Sequence, residues 1–427
     1  MGFSLSSYET ALGELYGSEH EILTKHEKRF KRLIQGHVQK FGKNPIHLFS
    51  TPGRTELSGN HTDHNHGRVL AASVSLDSIA AASKNETEKV VLYSEGYDEP
   101  FEVNLKKLDA LPGEKEKTGA LIRGIAARFR QLGYEIGGFS GMMTSEVLPG
   151  SGLSSSASVE VLIGSIFNAL YNDNSIAPEE LAKIGQFAEN KYFGKPCGLM
   201  DQMACAVGGI IAIDFNDPQK PIVEKVDFDF AAQQYSLLVV DTGGNHADLT
   251  KEYASVPKEM KAVANALGKE VCREIDNTDF VAEIKSLRPQ VGDRAVLRAL
   301  HFIAENERVQ QQVAALRCSD FQKFLDLVKD SGNSSFKWLQ NIYSIENVQV
   351  QGVALALALT EIFIANAGAG ACRVHGGGFA GTIQVFLPNE VVENYIHLIE
   401  SVFGEGKVMV LSIRPYGTVY LDALQNK

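Results

Sequence analysis

The sequence feature that most constrains the fold is a segment of small residues, Leu148-Pro149-Gly150-Ser151-Gly152-Leu153-Ser154-Ser155-Ser156-Ala157-Ser158. Apolar residues follow it at three- and four-residue spacing, which predicts one face of a helix. A glycine-rich loop that opens a helix offers unpaired backbone N–H groups and the positive end of the helix dipole to an anion. This serine loop therefore predicts either a phosphate-binding site or an ordinary serine cap after a tight turn.

Composition restricts the class of protein. A chain of 427 residues exceeds what one core usually serves, so two domains are expected. The net charge is −11 without a long basic block, so a nucleic acid is not expected as a partner. No apolar segment is long enough to span a membrane. Five widely spaced cysteines, and an N-terminus without an apolar signal core, favour a reduced, cytoplasmic protein.

Two further polar segments stand out. Residues 52–67 follow a predicted strand at 46–50 and contain one arginine, two carboxylates and three histidines. The glycine loop, Gly376-Gly377-Gly378-Phe379-Ala380-Gly381, precedes a predicted strand at 382–387. The intervening pattern predicts strands at 69–82, 89–94, 139–147, 210–215 and 236–241, helices at 5–41, 118–132, 178–191 and 350–367, and mostly helical structure at 250–330.

Several common sites are not supported. A P-loop needs Ser or Thr after Gly-Lys, and no Gly-Lys pair in this chain is followed by either. The glycine loop satisfies GxGxxG but leads into a predicted strand, so the dinucleotide-binding context is missing. The cluster His61-x-Asp63-His64-x-His66 has no second set of histidines at ligand spacing, which argues against a metallohydrolase.

Taken together, these segments resemble the three ordered motifs of the GHMP small-molecule kinases. Residues 52–67 look like a variant of the galactokinase signature. Cys197-Gly198-Leu199-Met200-Asp201-Gln202 is similar to the galactokinase stretch that carries the catalytic aspartate, and residues 298–309 resemble that family's central helical segment. The matches run in order from about residue 45 to 420. The chain is thereby identified as a member of the galactokinase family.

The resemblance implies a set of site residues. Asp201 would be the base or orienting carboxylate for the sugar's anomeric hydroxyl, and Arg54 would hold Asp201 ionised and stabilise the transferring phosphoryl group. Mg²⁺ would be the cofactor, held by Ser156 (or Ser155) and Glu189, with ATP as co-substrate. The ATP phosphates would lie on Gly150, Ser151, Gly152, Leu153, Ser154, Ser155, Ser156 and Ala157, supported by Gly376, Gly377 and Gly378. Sugar contacts are implied for Asn60, His61, Asp63, His64, Gly198 and Tyr253.

Structural roles remain open for three of these residues. Asp201 as a helix cap, Arg54 as a structural ion pair and Glu189 as a surface helix residue are the alternatives.

The fold implied by the resemblance is α+β, a two-domain GHMP kinase fold with the active site between the domains. Residues 1–225 would form an N-terminal domain like ribosomal protein S5 domain 2. Residues 226–427 would form a C-terminal ferredoxin-like α/β sandwich, with the final strand free to return to the first domain. A monomer or weak homodimer is expected.

Substrate identity depends on departures from the family pattern. Asn60 stands where galactokinases have a glutamate that contacts the C6 hydroxyl, and His64 stands where they have a tyrosine. Residues 241–246 replace the usual Asn-Ser-Asn-x-Arg-His. Loss of a carboxylate near C6 would favour tolerance of a C6 carboxylate, because like charges repel at close range.

The implied function is an ATP-dependent sugar 1-kinase acting on galactose. A kinase for a uronic acid such as galacturonate, or for another galactose-like sugar, is the alternative. A sugar-responsive regulator that has lost catalysis is the hypothesis from a different functional class.

Overall fold

The computed structural model describes residues 8–244, 249–276 and 280–424. Its strands are β1 (His47–Ser58), β2 (Arg68–Lys84), β3 (Lys89–Ser94), β4 (Phe101–Asn104), β5 (Phe139–Ser145), β6 (Ile210–Asp214), β7 (Ile222–Lys225), β8 (Tyr235–Asp241), β9 (Ala371–His375), β10 (Thr382–Pro388), β11 (Val408–Leu411) and β12 (Val419–Tyr420). Its helices are α1 (Glu9–Tyr16), α2 (His20–Phe41), α3 (Thr118–Gln131), α4 (Ser155–Tyr171), α5 (Pro178–Ala188), α6 (Met200–Val207), α7 (Thr250–Ala266), α8 (Phe280–Val291), α9 (Asp293–Arg317), α10 (Phe321–Ser334), α11 (Gly352–Ala367), α12 (Val392–Phe403) and α13 (Leu421–Leu424).

These strands form two sheets. The first has the order β12-β1-β2-β5-β3-β4, with β6 paired to β2 and β7 paired to β6, and only β3 and β5 run parallel. The second is antiparallel, in the order β11-β8-β10-β9. The chain passes from the first sheet to the second between β7 and β8, and β12 at the far end of the sequence pairs with β1. The predicted α+β class is confirmed.

Hydrophobic packing explains the layers. Alternate residues of β2 point to opposite faces, so Ala80 packs with α3, α4 and α5 while Ile79 packs with α2. A shared core lies between the two sheets, where Val74 of β2 meets Val239 of β8 and Phe386 of β10. Helices α11 and α12 cover the outer face of the second sheet. No helix in the described ranges is long and apolar enough to cross a membrane.

Two predicted elements are corrected. The strand at 46–50 continues to Ser58, so Arg54 and Glu56 lie in a strand and not in a loop. Their polar side chains are tolerated there because each finds a charged partner from another element. The single helix at 5–41 is two helices, separated at Gly17, whose φ of 90° favours glycine. Strand β9 and helix α12 had not been predicted.

Candidate active site

The first element of the site is a bidentate ion pair between β1 and α6. Arg54 Nε donates to Asp201 Oδ1 at 2.7 Å, and Arg54 Nη2 donates to Asp201 Oδ2 at 2.9 Å. Asp201 lies in the first turn of α6, whose N-terminal end favours a negative charge. The guanidinium is almost buried, whereas 32% of the Asp201 side chain remains exposed. The carboxylate is thus fixed in orientation and still open on one side.

The serine loop packs directly on this pair. Ser154 has a left-handed conformation, with φ 58° and ψ 63°, and its hydroxyl donates to Asp201 Oδ2. Arg54 Nη1 donates to the carbonyl of Gly152 at 2.6 Å, and the Arg54 amide donates to the carbonyl of Leu153 at 3.1 Å. A non-glycine residue held at positive φ is typical of a functional loop. The loop, the arginine and the aspartate therefore form one unit.

Electrostatics keep Asp201 ionised. Burial raises the pKa of a carboxyl group, but the Arg54 charge and hydrogen bonds from Arg54 and Ser154 outweigh it, so the pKa of Asp201 lies below its usual range. An anionic carboxylate accepts hydrogen bonds only, so the exposed side of Asp201 is suited to accept one from a hydroxyl group.

A second carboxylate meets the start of α4. Ser156 Oγ donates to Glu189 Oε1 at 3.0 Å, and Glu189 is 2% exposed at the end of α5. Gln202 Nε2 donates to Glu189 Oε2 at 2.8 Å and to Glu160 Oε2 at 3.0 Å. Because Glu189 is buried, it is not a surface residue of the helix. Ser156 Oγ and Glu189 Oε1 lie side by side, and both are oxygen atoms of the kind that bind metal ions.

Glu160 and Gln202 belong to this part of the site, although the sequence analysis did not assign them. Burial and the adjacent Glu189 carboxylate hold the pKa of Glu160 well above its usual range. Two buried oxygen atoms, Glu160 Oε1 and Gln202 Oε1, have no hydrogen-bond partner among the described residues. The sequence signal for Glu160 was its charge within the apolar run Val159–Leu162, because a carboxylate on a buried helix face is rare unless it is paired.

The predicted sugar-binding residues approach the same N-terminal end of helix α6. Gly198, three residues before Asp201, faces the Asp63 carboxylate so closely that a Cβ atom would collide with Asp63 Oδ2. His64 is partly exposed next to Asp63. His61 has φ 59°, and its Nε2 donates to the carbonyl of Gly377 at 2.8 Å.

The remaining predicted sugar contact, Tyr253, joins the same region. Its hydroxyl donates to the carbonyl of Gly378 at 3.0 Å, and a Cβ on Gly377 would lie 2.5 Å from its ring. Tyr253 therefore packs on the glycine loop, next to His61.

Asn60 differs from its neighbours because it has no exposed surface. Its Nδ2 donates to the carbonyl of Gly376 at 2.6 Å and to Glu56 Oε1 at 3.0 Å, and its Oδ1 accepts from Asn341 Nδ2 at 2.7 Å. Glu56 is itself paired with the fully buried Arg373 at 2.7 Å. The predicted contact between Asn60 and a sugar would require at least one of these bonds to break.

The glycine loop lies against the serine loop. His375, the residue before Gly376, faces Thr382 with its Nδ1 at 3.0 Å. A Cβ on Gly152, whose φ is 76°, would come within 2.9 Å of that same Nδ1 and even closer to Thr382. Only glycine fits at position 152 without strain. The structure thus brings all three polar segments and α6 together. Residues 245 and 246 of the segment 241–246, which departs from the family pattern, lie outside the described ranges.

Comparison with known families places two models on this chain. The model described as the GHMP kinases N terminal domain matches residues 120–209, and the galactokinase galactose-binding signature matches residues 35–84. These ranges contain the serine loop, Asp201, Arg54 and the rest of residues 52–67.

Individual relatives extend the similarity over most of the chain. A galactokinase of Streptomyces coelicolor is 31% identical over 381 residues, covering 88% of this chain and 92% of the relative. The galactokinase of Homo sapiens is 29% identical over 384 residues, with the same coverage of 88% and 92%.

Solved structures agree in fold. A Lactococcus lactis galactokinase complexed with galactose has a TM-score of 0.78 at 25% identity, covering 92% of this chain and 100% of that one. A mevalonate kinase has a TM-score of 0.60 at 16% identity, covering 86% and 99%, and shows similarity of fold alone. The fold predicted from the ordered motifs is confirmed.

Proposed function

Because this chain belongs to the galactokinase family of the GHMP kinases, we propose that it transfers the γ-phosphoryl group of ATP to the C1 hydroxyl of galactose. The observation that carries the proposal is the Arg54–Asp201 pair, fixed against the serine loop and open on one side of the carboxylate. A phosphate site and an oriented carboxylate are the two parts that this transfer needs.

Asp201 would orient the sugar and accept its proton. The depressed pKa makes Asp201 a weak base at neutral pH, so orientation followed by late proton acceptance is favoured over prior deprotonation. The C1 oxygen then bonds to the γ-phosphorus as the bond from that phosphorus to the β-phosphate oxygen breaks. The hydroxyl proton goes to Asp201, and ADP leaves.

The serine loop and Arg54 would carry the charge of the triphosphate. Residues 150–157 lead into α4, whose first-turn N–H groups and dipole favour an anion. Arg54 Nη1 already holds Gly152, so the guanidinium lies between the loop and Asp201. Fixed positive charge in a water-poor site stabilises a transferring phosphoryl group without reorganisation.

Mg²⁺ fits the donor set next to the loop. Ser156 Oγ and Glu189 Oε1 are 3.0 Å apart, and hydroxyl and carboxylate oxygens are ligands that Mg²⁺ accepts, with water and phosphate completing the shell. Ser156 and Glu189 would hold the ion, which when bound neutralises charge on the β- and γ-phosphates. Gln202 fixes the far oxygen of Glu189 and so orients the near one.

The sugar would lie between Asp63, His61, His64, Gly198 and Tyr253. A uronic acid is the second candidate substrate. It is compatible with this site because Glu56, which lies behind Asn60, is buried and paired with Arg373, so that carboxylate does not repel a C6 carboxylate.

A panel of sugars tests the proposal. Wild-type protein with ATP and Mg²⁺ should form ADP fastest with galactose, more slowly with galacturonate and not with mevalonate, measured by a coupled assay and by ³¹P NMR of the product. A higher kcat/KM for galacturonate than for galactose would move the assignment to the uronic acid. Sugar binding without any phosphorylated product would make the chain a regulator.

A further inference from the structure

We propose that Asn60 is a positioning residue that fastens the glycine loop (Gly376–Gly378) to the sugar motif (residues 52–67), and that it does not contact the sugar's C6 group. The inference rests on the proposed function of the site. It replaces the expectation, drawn from sequence alone, that the side chain at position 60 faces the substrate.

Hydrogen bonds occupy both N–H groups and the oxygen of the Asn60 side-chain amide. Its two N–H groups donate to Gly376 O at 2.6 Å and to Glu56 Oε1 at 3.0 Å, a backbone carbonyl and a carboxyl oxygen that both act as acceptors. These acceptors fix which way the amide points. Its oxygen accepts from Asn341 at 2.7 Å and faces the Ser335 hydroxyl at 3.4 Å.

The backbone at position 60 is fixed as well. Nε2 of His301, in α9, donates to the Asn60 carbonyl at 3.0 Å, while the Ser334 hydroxyl lies 2.8 Å from the other ring nitrogen. The Asn60 side chain has 0% exposure. A sugar hydroxyl could therefore reach it only after a residue of another element moved away.

Three consecutive carbonyls of the glycine loop are held by side chains. Gly376 O accepts from Asn60, Gly377 O accepts from His61 at 2.8 Å and Asn341 at 3.1 Å, and Gly378 O accepts from Tyr253 at 3.0 Å. Gly376 and Gly378 have φ of 66° and 76°, so this short loop leaves the strand geometry of β9 at once. Its conformation depends on these side chains, and Asn60 makes the shortest of the four bonds.

The loop in turn supports the phosphate side of the site. Gly376 follows His375. The Glu56 amide donates to His375 Nε2 at 3.3 Å, and His375 Nδ1 lies next to Gly152, where a Cβ atom would collide with it. A shift of the loop would press on Gly152, which Arg54 holds at 2.6 Å. Asn60 therefore positions both substrates at once, which a contact to one sugar hydroxyl would not do.

Sugars that differ only at C6 separate the two roles. In the full-length Asn60→Ala variant, kcat/KM should fall about tenfold or more for galactose and by the same factor for 6-deoxygalactose, and the KM for ATP should rise. A direct C6 contact predicts that only galactose loses the interaction. A change of more than about threefold in the ratio of the two kcat/KM values, or unchanged constants for all three substrates, would overturn the proposal.

A second measurement does not depend on catalysis. Amide hydrogen exchange across residues 371–381 should be faster in Asn60→Ala than in wild type and unchanged in Asn65→Ala. Asn65 is the matched control because it is also fully buried in the sugar motif, where it contacts Met260 and Cys272. Asn60→Ser, which keeps a single donor, serves if the alanine variant does not fold.

The exchange result is independent of the sugar. Unchanged exchange in the glycine loop would refute the positioning role even in an active kinase. A wild-type protein that phosphorylates neither sugar would refute the proposed galactose activity, and faster exchange in the Asn60 variants would still support the positioning role.

Discussion

Two arginine–carboxylate pairs arise two residues apart on the same face of β1 and behave in opposite ways. Arg54 pairs with Asp201 of α6 at 2.7 Å, and Glu56 pairs with Arg373 of β9 at 2.7 Å. The first carboxylate is 32% exposed and has a pKa below its usual range. The second is 5% exposed, and burial raises its pKa despite the Arg373 charge.

The difference lies in what surrounds each carboxylate. Asp201 gains the Ser154 hydroxyl and the start of a helix in addition to its arginine, and part of it remains in water. Glu56 receives one donor from Arg373 and one from Asn60, and desolvation outweighs them. The same pair of charged groups thus leaves a carboxylate accessible from solvent in one place and joins two sheets where both sides are buried.

The largest expected effect is on the stability that the buried Glu56–Arg373 pair provides. Glu56→Ala should lower the free energy of unfolding by about 3–5 kcal/mol, because it leaves the Arg373 charge buried without its partner. Equilibrium unfolding in urea measures this. Asp201→Ala is the matched comparison and should cost clearly less, because the exposed side of the Asp201 position lets water reach the Arg54 charge that the substitution leaves unpaired. Equal losses for both variants would show that exposure does not distinguish the pairs.

The next effect is on turnover, through the partly exposed Arg54–Asp201 pair. Asp201→Asn should lower kcat by about 100-fold or more while galactose still binds, because the amide cannot accept the hydroxyl proton. Steady-state kinetics and calorimetry measure the two quantities. Asp214→Asn is the control, since Asp214 also pairs with arginines, Arg68 and Arg273, but lies outside the site. Near-normal turnover in Asp201→Asn would refute its assigned role.

A smaller effect tests Glu189, the carboxylate next to Ser156 in the candidate active site. Glu189→Gln should raise the Mg²⁺ concentration for half-maximal rate by about tenfold or more, because loss of even an outer-shell partner costs about 10- to 100-fold in metal affinity and Glu189 is proposed as a direct ligand. Titration of the rate with Mg²⁺ at fixed ATP measures it. Glu179→Gln, at an exposed position of the same helix α5, should change nothing. An unchanged Mg²⁺ dependence in Glu189→Gln would remove Glu189 from the metal site.

The last effect is the pH dependence of stability that arises from His61, in residues 52–67. Burial lowers the pKa of His61 to about 4, so between pH 4 and the unfolded value near 6.5 the unfolded chain binds the extra proton. Stability should therefore fall as the pH drops through this window, by at most about 1.4 kcal/mol per pH unit for one histidine. His61→Gln should flatten the slope, measured by urea unfolding from pH 7 to 5. His20→Gln, at an exposed site, should not.

The sequence by itself determined the family and the fold class, and it predicted the candidate site residues, whose roles stay predictions. Arg54, the serine loop and Asp201 were predicted because the segments that hold them resemble, in order, the motifs of the galactokinase family. The comparisons confirm the family and the fold. The domain limits at 225/226, the cytoplasmic location and the oligomeric state stay predictions.

Only the tertiary structure decided what the polar residues between those motifs do. A sequence shows that Glu56, Asn60 and Arg373 are polar, but not that they meet across more than 300 positions to fill one another's hydrogen bonds. The resemblance predicted a substrate contact at position 60, whereas the hydrogen bonds of Asn60 support the positioning role proposed above. Gln202, which donates to Glu189, was not predicted. Burial and pairing are properties of the packed chain, because a polar group is tolerated away from water only where other elements supply its partners.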